Sequence, residues 1–159
     1  MCYLWSFVNP QHERATAAFV KERDPGLPVS LSAEVAPILG EYERMATTVL
    51  SAYLRPRMAE YLTRLEGKLR QRGFGSRLLM SHGMGGLTSV QEARERPLLT
   101  LDSGPAGGVV GLQYFSEAYG EPNIIGTDMG GTSFDVAIVE HGRATLDDEP
   151  VIEKYRFLL

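Results

Sequence analysis

The segment of residues 128–135, Asp-Met-Gly-Gly-Thr-Ser-Phe-Asp, constrains the fold of this chain more than any other. It lies between two apolar runs, residues 123–127 and residues 136–139. Two short apolar runs joined by a Gly-Gly turn predict a β-hairpin rather than a strand that leads into a helix. Because glycine has no Cβ, the backbone of such a turn can approach a bulky anion closely. Successive N–H groups in the turn can then form a concave anion site.

The side chains of this segment suit the phosphates of a nucleotide and their magnesium ion. The candidate binding residues are Asp128, Gly130, Gly131, Thr132, Ser133 and Asp135. Thr132 and Ser133 offer hydroxyl donors to phosphate oxygens, while Asp128 and Asp135 offer carboxylates to a hydrated divalent cation, which prefers oxygen ligands. The alternative is a plain Gly-Gly hairpin whose acids only cap the turn.

A glycine-rich helix is predicted just before this hairpin. Ser103 is the predicted N-cap, Pro105 falls near the first helical position, and the helix should end at about Tyr119. It carries three glycines on one side: Gly107, Gly108 and Gly111. Each glycine inside a helix costs about 1 kcal/mol relative to alanine, so a compensating gain is expected, and close approach of a second helix is the favoured one. The alternative is a frayed or irregular segment.

These two features occur together in a known family. The order Ser-Gly-Pro-Ala-Gly-Gly-Val at residues 103–109, then a helix, then Asn-Ile-Ile at residues 123–125 and the octapeptide, resembles the hydantoinase A/oxoprolinase family. That family includes the ATP-binding subunits of acetone and acetophenone carboxylases. Shorter stretches elsewhere are also similar to the family and keep its order, at residues 6–13, 29–32, 41–44, 52–56 and 85–86. The resemblance therefore covers nearly the whole chain.

The resemblance implies an α/β fold of the actin-like ATPase type, built from RNase H-like lobes. Residues 1–47 would be the end of the family's N-terminal region, and residues 48–159 the start of its hydantoinase A/oxoprolinase domain. Within it, residues 103–119 would be the hinge helix and residues 123–140 the phosphate hairpin. The implied hinge residues are Ser103, Gly104, Gly107 and Gly108.

The chain is expected to be an internal fragment of such a protein. Its single Asp-x-Gly-Gly-Thr, at residue 128, matches the second-lobe copy, and the first-lobe copy is not in this sequence. The family's adenosine-binding part is also expected to lie outside it, so the chain would hold the first three strands of the second lobe. Binding of ATP and Mg²⁺ would then require the first lobe as well.

For the complete protein, the resemblance implies ATP-dependent activation of a carbonyl compound by phosphorylation. A cyclic-amide hydrolase of the hydantoinase/oxoprolinase type is the main expectation, and a ketone carboxylase subunit is the alternative. Asp128 would hold Mg²⁺, either directly or through water. The implied partners are a small carbonyl substrate and a second subunit of the hydantoinase B type.

Two further alternatives belong to other functional classes. One is a non-catalytic actin-like module that serves assembly. The other is a truncated product without an independent function. For the truncated product, the incomplete sheet would leave unpaired strand edges, which favour aggregation.

A second candidate site follows the apolar segment Leu78–Met80, which is predicted to form a buried strand. The segment leads into the loop Ser-His-Gly-Met-Gly-Gly at residues 81–86, and loops of this kind at strand ends often face ligands. His82 is the candidate catalytic residue, as proton donor, base or oxyanion partner. The alternative is a tight loop with a hydrogen-bonded or exposed histidine. Many members of the resembled family have asparagine or another polar residue here, without the extra Gly-Met.

The N-terminal part of the chain is predicted to be mainly scaffold. Asn9 is a suitable N-cap, so residues 10–23 should be helical. Residues 1–4 and 29–31 are each predicted to form a short strand.

A long helical region is then predicted over residues 34–72, with a break or bend at Gly40 and at Pro56. Apolar residues recur along it by threes and fours. They predict a buried face formed by Val49, Ala52, Pro56, Ala59, Leu62, Leu65 and Leu69.

Composition excludes several classes of function. A net charge of −4 and a pI near 5.4 give no basis for binding nucleic acid or an anionic membrane. No apolar stretch approaches the roughly 20 residues of a membrane span, and the N-terminal residues lack the basic region of a signal peptide. Cys2 is the single cysteine, which excludes an internal disulfide, and the three histidines lack metal-ligand spacing. A cytoplasmic protein is expected.

Overall fold

The computed structural model describes residues 1–144, 151–152 and 155–156 of a mixed α/β protein. The helices are α1 (Gln11–Arg23), α2 (Ser32–Val35), α3 (Glu41–Gln71), α4 (Val90–Glu95) and α5 (Ser103–Tyr119), with a 3₁₀ turn at Pro97–Thr100. The strands are β1 (Leu79–Ser81), β2 (Leu87–Ser89), β3 (Ile124–Met129), β4 (Phe134–Glu140), β5 (Arg143–Ala144), β6 (Val151–Ile152) and β7 (Tyr155–Arg156).

The chain forms two compact units. The first comprises Met1–Gly75, Arg94–Leu98 and the described residues of Glu149–Leu159. The second comprises Ser76–Ala93 and the described residues of Leu99–Asp148, and it contains both candidate sites. In the described part of the chain, no helix is long and apolar enough to cross a membrane.

The first unit is built on helices, and both short strands predicted for it are wrong. Residues 1–4 and 29–31 lie outside any strand, and the backbone at residues 4–8 forms turns instead. The long helix is confirmed, but it begins only after Gly40, whose φ of 115° is left-handed and interrupts the helical path. The helix then continues through Pro56, so no break occurs there.

The buried face of α3 differs from the predicted one in its first half. Val49 is 64% exposed, and Ala52 and Pro56 are not buried either. Polar residues are buried in their place: Arg44, Thr47, Thr48 and Ser51. The hydroxyls of Thr47 and Thr48 donate to the carbonyls one turn earlier, at 2.6 and 2.7 Å, so both hydroxyls keep a hydrogen-bond partner when buried. In the second half of α3 the apolar prediction holds at Leu62, which is fully buried.

A buried carboxylate organises the N-terminal segment of this unit. Glu13 of α1 is fully buried and accepts hydrogen bonds from Tyr3 N at 2.8 Å, Ser32 Oγ at 2.6 Å and Ala33 N at 3.0 Å. The carbonyl of Tyr3 in turn accepts from Nη2 of the buried Arg44 at 2.7 Å. One peptide segment thus lies between a buried anion and a buried cation.

The second unit contains the predicted hairpin and the predicted helix. β3 and β4 pair antiparallel from Ile124↔Val139 to Met129↔Phe134, and β5 extends the sheet in the order β3-β4-β5. α5 packs on one face of this sheet, where a Cβ at Gly126 would lie 3.0 Å from Leu112. The strand predicted at Leu78–Met80 is β1, but Leu79 is 41% exposed, so that strand is not buried as predicted.

Candidate functional site

The turn between β3 and β4 presents Gly131 to open space. Residues 130–133 close the hairpin, and Gly130 N donates to the carbonyl of Ser133 at 2.9 Å. A Cβ added at Gly131 would have no neighbouring atom within 4 Å, and residues 128–134 are all exposed. A bulky anion could therefore reach the backbone of this turn without displacing any described residue.

The two acids of the octapeptide face each other across the hairpin. Asp128 and Asp135 are directly paired in the β3–β4 register. Directly opposed residues in an antiparallel pair have Cβ atoms about 5 Å apart, and like charges at that distance destabilise the pair. Ser133 Oγ lies 3.1 Å from Asp135 Oδ2, whereas no hydrogen bond is found for the Asp128 carboxylate among the described residues. This arrangement leaves a concentrated negative charge that a cation would neutralise.

These carboxylates would hold a metal only with further ligands. Among the described residues, no group of three or more His, Cys, Asp or Glu side chains is arranged to hold a metal ion. Mg²⁺, however, is commonly bound by one or two carboxylates together with water and substrate phosphates. Asp128 and Asp135 fit that smaller contribution.

A largely apolar cavity of about 400 Å³ lies between α5 and the hairpin. Gly108 and Gly111 line it from the helix, and Gly126, Asp128 and Asp135 from the strands. The expectation that the helix glycines allow close packing of a second helix finds no support in the described residues. A Cβ would have no neighbouring atom within 4 Å at any of these positions: Gly104, Gly107, Gly108 and Gly111.

The start of α5 also differs from its prediction. Ser103 is the first helical residue, and the N-cap is Asp102, with a left-handed φ of 51°. The Asp102 side chain makes no capping hydrogen bond. A left-handed aspartate is uncommon but tolerated, because its short polar side chain avoids most of the clash. Nothing in the local sequence indicates this conformation.

The loop that carries His82 is held by several hydrogen bonds. His82 N donates to the carbonyl of Gly86 at 3.1 Å, and Gly85 N donates to the carbonyl of His82 at 3.0 Å. Met84 N donates to His82 Nδ1 at 2.9 Å. The alternative of a tight loop with a hydrogen-bonded histidine matches this geometry. The ring is half-buried, and its Nδ1 already accepts a hydrogen bond within the loop.

Gly83 is a determinant that sequence reasoning missed. A Cβ at this position would overlap the carbonyl oxygen of Leu101, and Gly83 N donates to the carbonyl of Leu99 at 2.7 Å. The loop is thereby attached to the segment that leads into α5. The loop contains several glycines, and nothing in the sequence shows which of them makes such a long-range contact.

Comparison with known proteins adds the family. A sequence model described as Hydantoinase/oxoprolinase matches residues 44–159. The acetophenone carboxylase gamma subunit of Aromatoleum aromaticum is 37% identical over 158 residues, which is 96% of this chain and 21% of that protein.

Two solved structures resemble the chain. The crystal structure of the ATP-dependent caprolactamase from Pseudomonas jessenii matches with a TM-score of 0.85 at 33% identity, covering 99% of this chain and 23% of that one. The nucleotide-free structure of an acetone carboxylase, from work on ATP-dependent acetone carboxylation, matches with a TM-score of 0.84 at 31% identity, covering 97% and 22%. The chain thus spans about a fifth of the length of these relatives.

Proposed function

The chain belongs to the hydantoinase/oxoprolinase family, and on that premise we propose that it contributes a phosphate-binding hairpin to an ATP-dependent enzyme that activates a carbonyl compound. The observation that carries the proposal is the turn of residues 130–133. Its backbone is open to a bulky anion, and it lies beside two opposed carboxylates suited to a hydrated cation.

The proposed architecture is the actin-like ATPase fold. α5 would be the hinge helix, with Ser103, Gly104, Gly107 and Gly108 at the hinge, and the β3–β4 hairpin would be the second phosphate loop. We place the domain boundary near residue 47. The mixed helix and sheet content and the packing of α5 on the hairpin support this assignment.

The roles proposed for the hairpin residues follow from their chemistry. The N–H groups of Gly131 and Thr132 would bind phosphate oxygens, with hydroxyls from Thr132 and Ser133. Gly130 would contribute by its missing Cβ, because its N–H closes the turn on the carbonyl of Ser133. Asp128 would hold Mg²⁺, directly or through water. The Ser133 hydroxyl has one hydrogen and lies 3.1 Å from Asp135 Oδ2, so it would turn from Asp135 to donate to a phosphate oxygen. These groups position charge, and phosphoryl transfer depends chiefly on such positioning and charge neutralisation.

When bound, ATP would supply a phosphoryl group to an amide or enol oxygen and so make an unreactive carbonyl compound reactive. We propose a cyclic amide as the substrate, which the similarity to the caprolactamase supports. The second candidate is carboxylation of a ketone, which the similarity to the acetophenone carboxylase gamma subunit favours. Because the relatives are named as subunits, we also propose a second subunit, of the hydantoinase B type, as the partner. We place the enzyme in the cytoplasm.

The test is the binding of Mg²⁺ and ATP by the complete gene product with Asp128→Asn. Asparagine keeps the shape of aspartate but removes its charge. We expect the ATP dissociation constant measured by calorimetry in Mg²⁺ to rise roughly tenfold or more. The variant would no longer offer a charged acceptor to Mg²⁺ or its bound water, and a hydrogen bond to a charged group contributes about 1.5–3 kcal/mol.

The matched control is Glu121→Gln, which removes an exposed carboxylate from the loop before β3 and should leave ATP affinity unchanged. If Asp128→Asn bound Mg²⁺ and ATP as tightly as the unaltered protein, the proposed phosphate site would be wrong. A non-catalytic assembly module would then be favoured.

A further inference from the structure

We propose that His82 is a catalytic residue that donates a hydrogen bond from Nε2 to the carbonyl oxygen of the substrate. This inference rests on the proposed function, because it presumes that the enzyme acts on a carbonyl compound. It goes further than the proposed function, because it assigns a substrate contact to a loop outside the phosphate hairpin and names Nε2 as the hydrogen-bond donor.

The hydrogen bond to Nδ1 determines which nitrogen carries the hydrogen. Met84 N is a donor and lies 2.9 Å from His82 Nδ1, so Nδ1 must present its lone pair. The neutral imidazole therefore carries its single hydrogen on Nε2. A ring in this form offers a donor outward and no lone pair, so it can polarise a carbonyl oxygen but cannot act as a base through Nε2.

The loop holds the ring in a defined place. The hydrogen bonds of His82 with Gly86 and Gly85 close the turn, and Gly83 donates to the carbonyl of Leu99 and lies against the carbonyl oxygen of Leu101. A donor that is already oriented needs no rearrangement as charge develops on its acceptor, and this makes it effective in catalysis.

The loop that carries His82 lies beside α5. Gly83 contacts Leu101, two residues before α5 begins, and a Cβ at Gly85 would lie 3.2 Å from Val110 of that helix. On α5 itself, a Cβ at Gly104 or Gly107 would have no neighbouring atom within 4 Å. His82 is half-buried, and no described residue accepts a hydrogen bond from its Nε2. A small substrate beside the start of α5 could thus supply the missing acceptor.

The substrate's carbonyl oxygen is the acceptor that we propose for this hydrogen bond. The oxygen would accept from Nε2–H through one lone pair and direct another lone pair toward the phosphorus of ATP, so the donor would hold the oxygen in the orientation that phosphoryl transfer requires. Amide and enol oxygens both have the lone pairs that this needs, so the inference holds for either substrate class.

Three variants separate a role in catalysis from a role in the turn. His82→Asp keeps an oxygen that can accept a hydrogen bond from Met84 N but removes the Nε2–H donor. Asparagine keeps that oxygen and also carries an N–H donor, whereas alanine loses both. His82→Asp and His82→Asn should therefore fold as the unaltered protein does, and His82→Ala should be less stable.

The activity of these variants is measured in the complete gene product with its partner subunit, supplied with ATP and either a lactam or a ketone with bicarbonate. For the substrate that is turned over, we expect His82→Asp to lower kcat/KM roughly 100-fold, as is typical for loss of one such donor. His82→Asn should recover part of that loss, and ATP affinity should not change in any variant.

Wild-type kcat/KM in His82→Asp would overturn the inference while leaving the proposed function intact. Absence of ATP-dependent turnover of both substrates in the unaltered protein would instead overturn the proposed function, and the carbonyl contact with it. A separate measurement needs no variant: ¹⁵N NMR of the imidazole should show hydrogen on Nε2, and hydrogen on Nδ1 would refute the assigned geometry.

Discussion

Glu13 illustrates how a single residue can stabilise a segment distant in sequence. Its burial raises the carboxyl pKa, but hydrogen bonds from Ser32, Ala33, Tyr3 and Ser6 together outweigh burial, so that the pKa lies below its usual value of 4.5. The charged form is therefore favoured in the folded protein. Because the folded pKa is lowered, the resulting stability is fully present above the unfolded pKa and is lost as the pH falls through the folded pKa.

We predict that Glu13→Gln destabilises the chain by about 1–3 kcal/mol at pH 7. The side-chain amide nitrogen of glutamine is a donor, and it would face one of the donors whose hydrogen bond the carboxylate now accepts. Below about pH 4.5, the free energy of unfolding should fall less steeply with pH for the variant than for the unaltered chain. Urea unfolding at neutral and acidic pH measures both effects. Glu34→Gln, at an exposed carboxylate of α2, is the control and should change neither. Parallel pH profiles for Glu13→Gln and the unaltered chain would contradict the prediction.

At the scale of elements, Gly83 and Gly67 illustrate two roles of glycine in this chain. Gly83 permits a close approach, since a Cβ there would overlap a backbone oxygen that cannot rotate away. Gly67 lies inside α3, where a Cβ would have no neighbour within 4 Å, so it only weakens the helix. The two roles cannot be distinguished in the sequence, because the contact of Gly83 is made with Leu101, far along the chain.

Alanine substitutions at these two glycines should therefore have opposite effects. Gly83→Ala should destabilise the chain by about 1–3 kcal/mol, the usual cost of forcing atoms into a filled site. Gly67→Ala should stabilise it by up to about 1 kcal/mol through helix propensity alone. Thermal unfolding of both variants makes the comparison, and a Gly83→Ala variant as stable as the unaltered chain would mean that the loop is not attached to Leu101 as described.

For the whole molecule, the most consequential feature is an exposed apolar sheet face opposite α5. Ile125 and Ile138 are paired across β3 and β4 and are 69% and 53% exposed. Met129 and Phe134 form a second exposed pair on the hairpin, at 78% and 56%. Soluble monomers rarely expose a continuous apolar patch of this kind, and such patches favour association.

We predict that the 159-residue chain associates at micromolar concentrations through this face. The double variant Ile125→Lys, Ile138→Glu places opposite charges across the strands and should remain monomeric. Because both positions are exposed, its unfolding midpoint should change little. Sedimentation velocity measures the association, and a monomeric unaltered chain at the same concentration would show that the face does not mediate association.

The sequence by itself determined the β3–β4 hairpin, the glycine-rich helix α5 and the family. A Gly-Gly turn between apolar runs specifies a hairpin, and a proline near the start of a helical stretch marks where α5 begins, because both preferences act within a few residues. Only the tertiary structure decided which side of α3 is buried and why Gly83 must be glycine. It also decided which nitrogen of His82 carries the hydrogen. Each depends on atoms brought together by folding: Arg44 and Tyr3, Gly83 and Leu101, and the turn that brings Met84 N to the His82 ring. Periodicity favoured an apolar face at Val49, but hydrogen bonds that the sequence cannot display made a polar face the buried one.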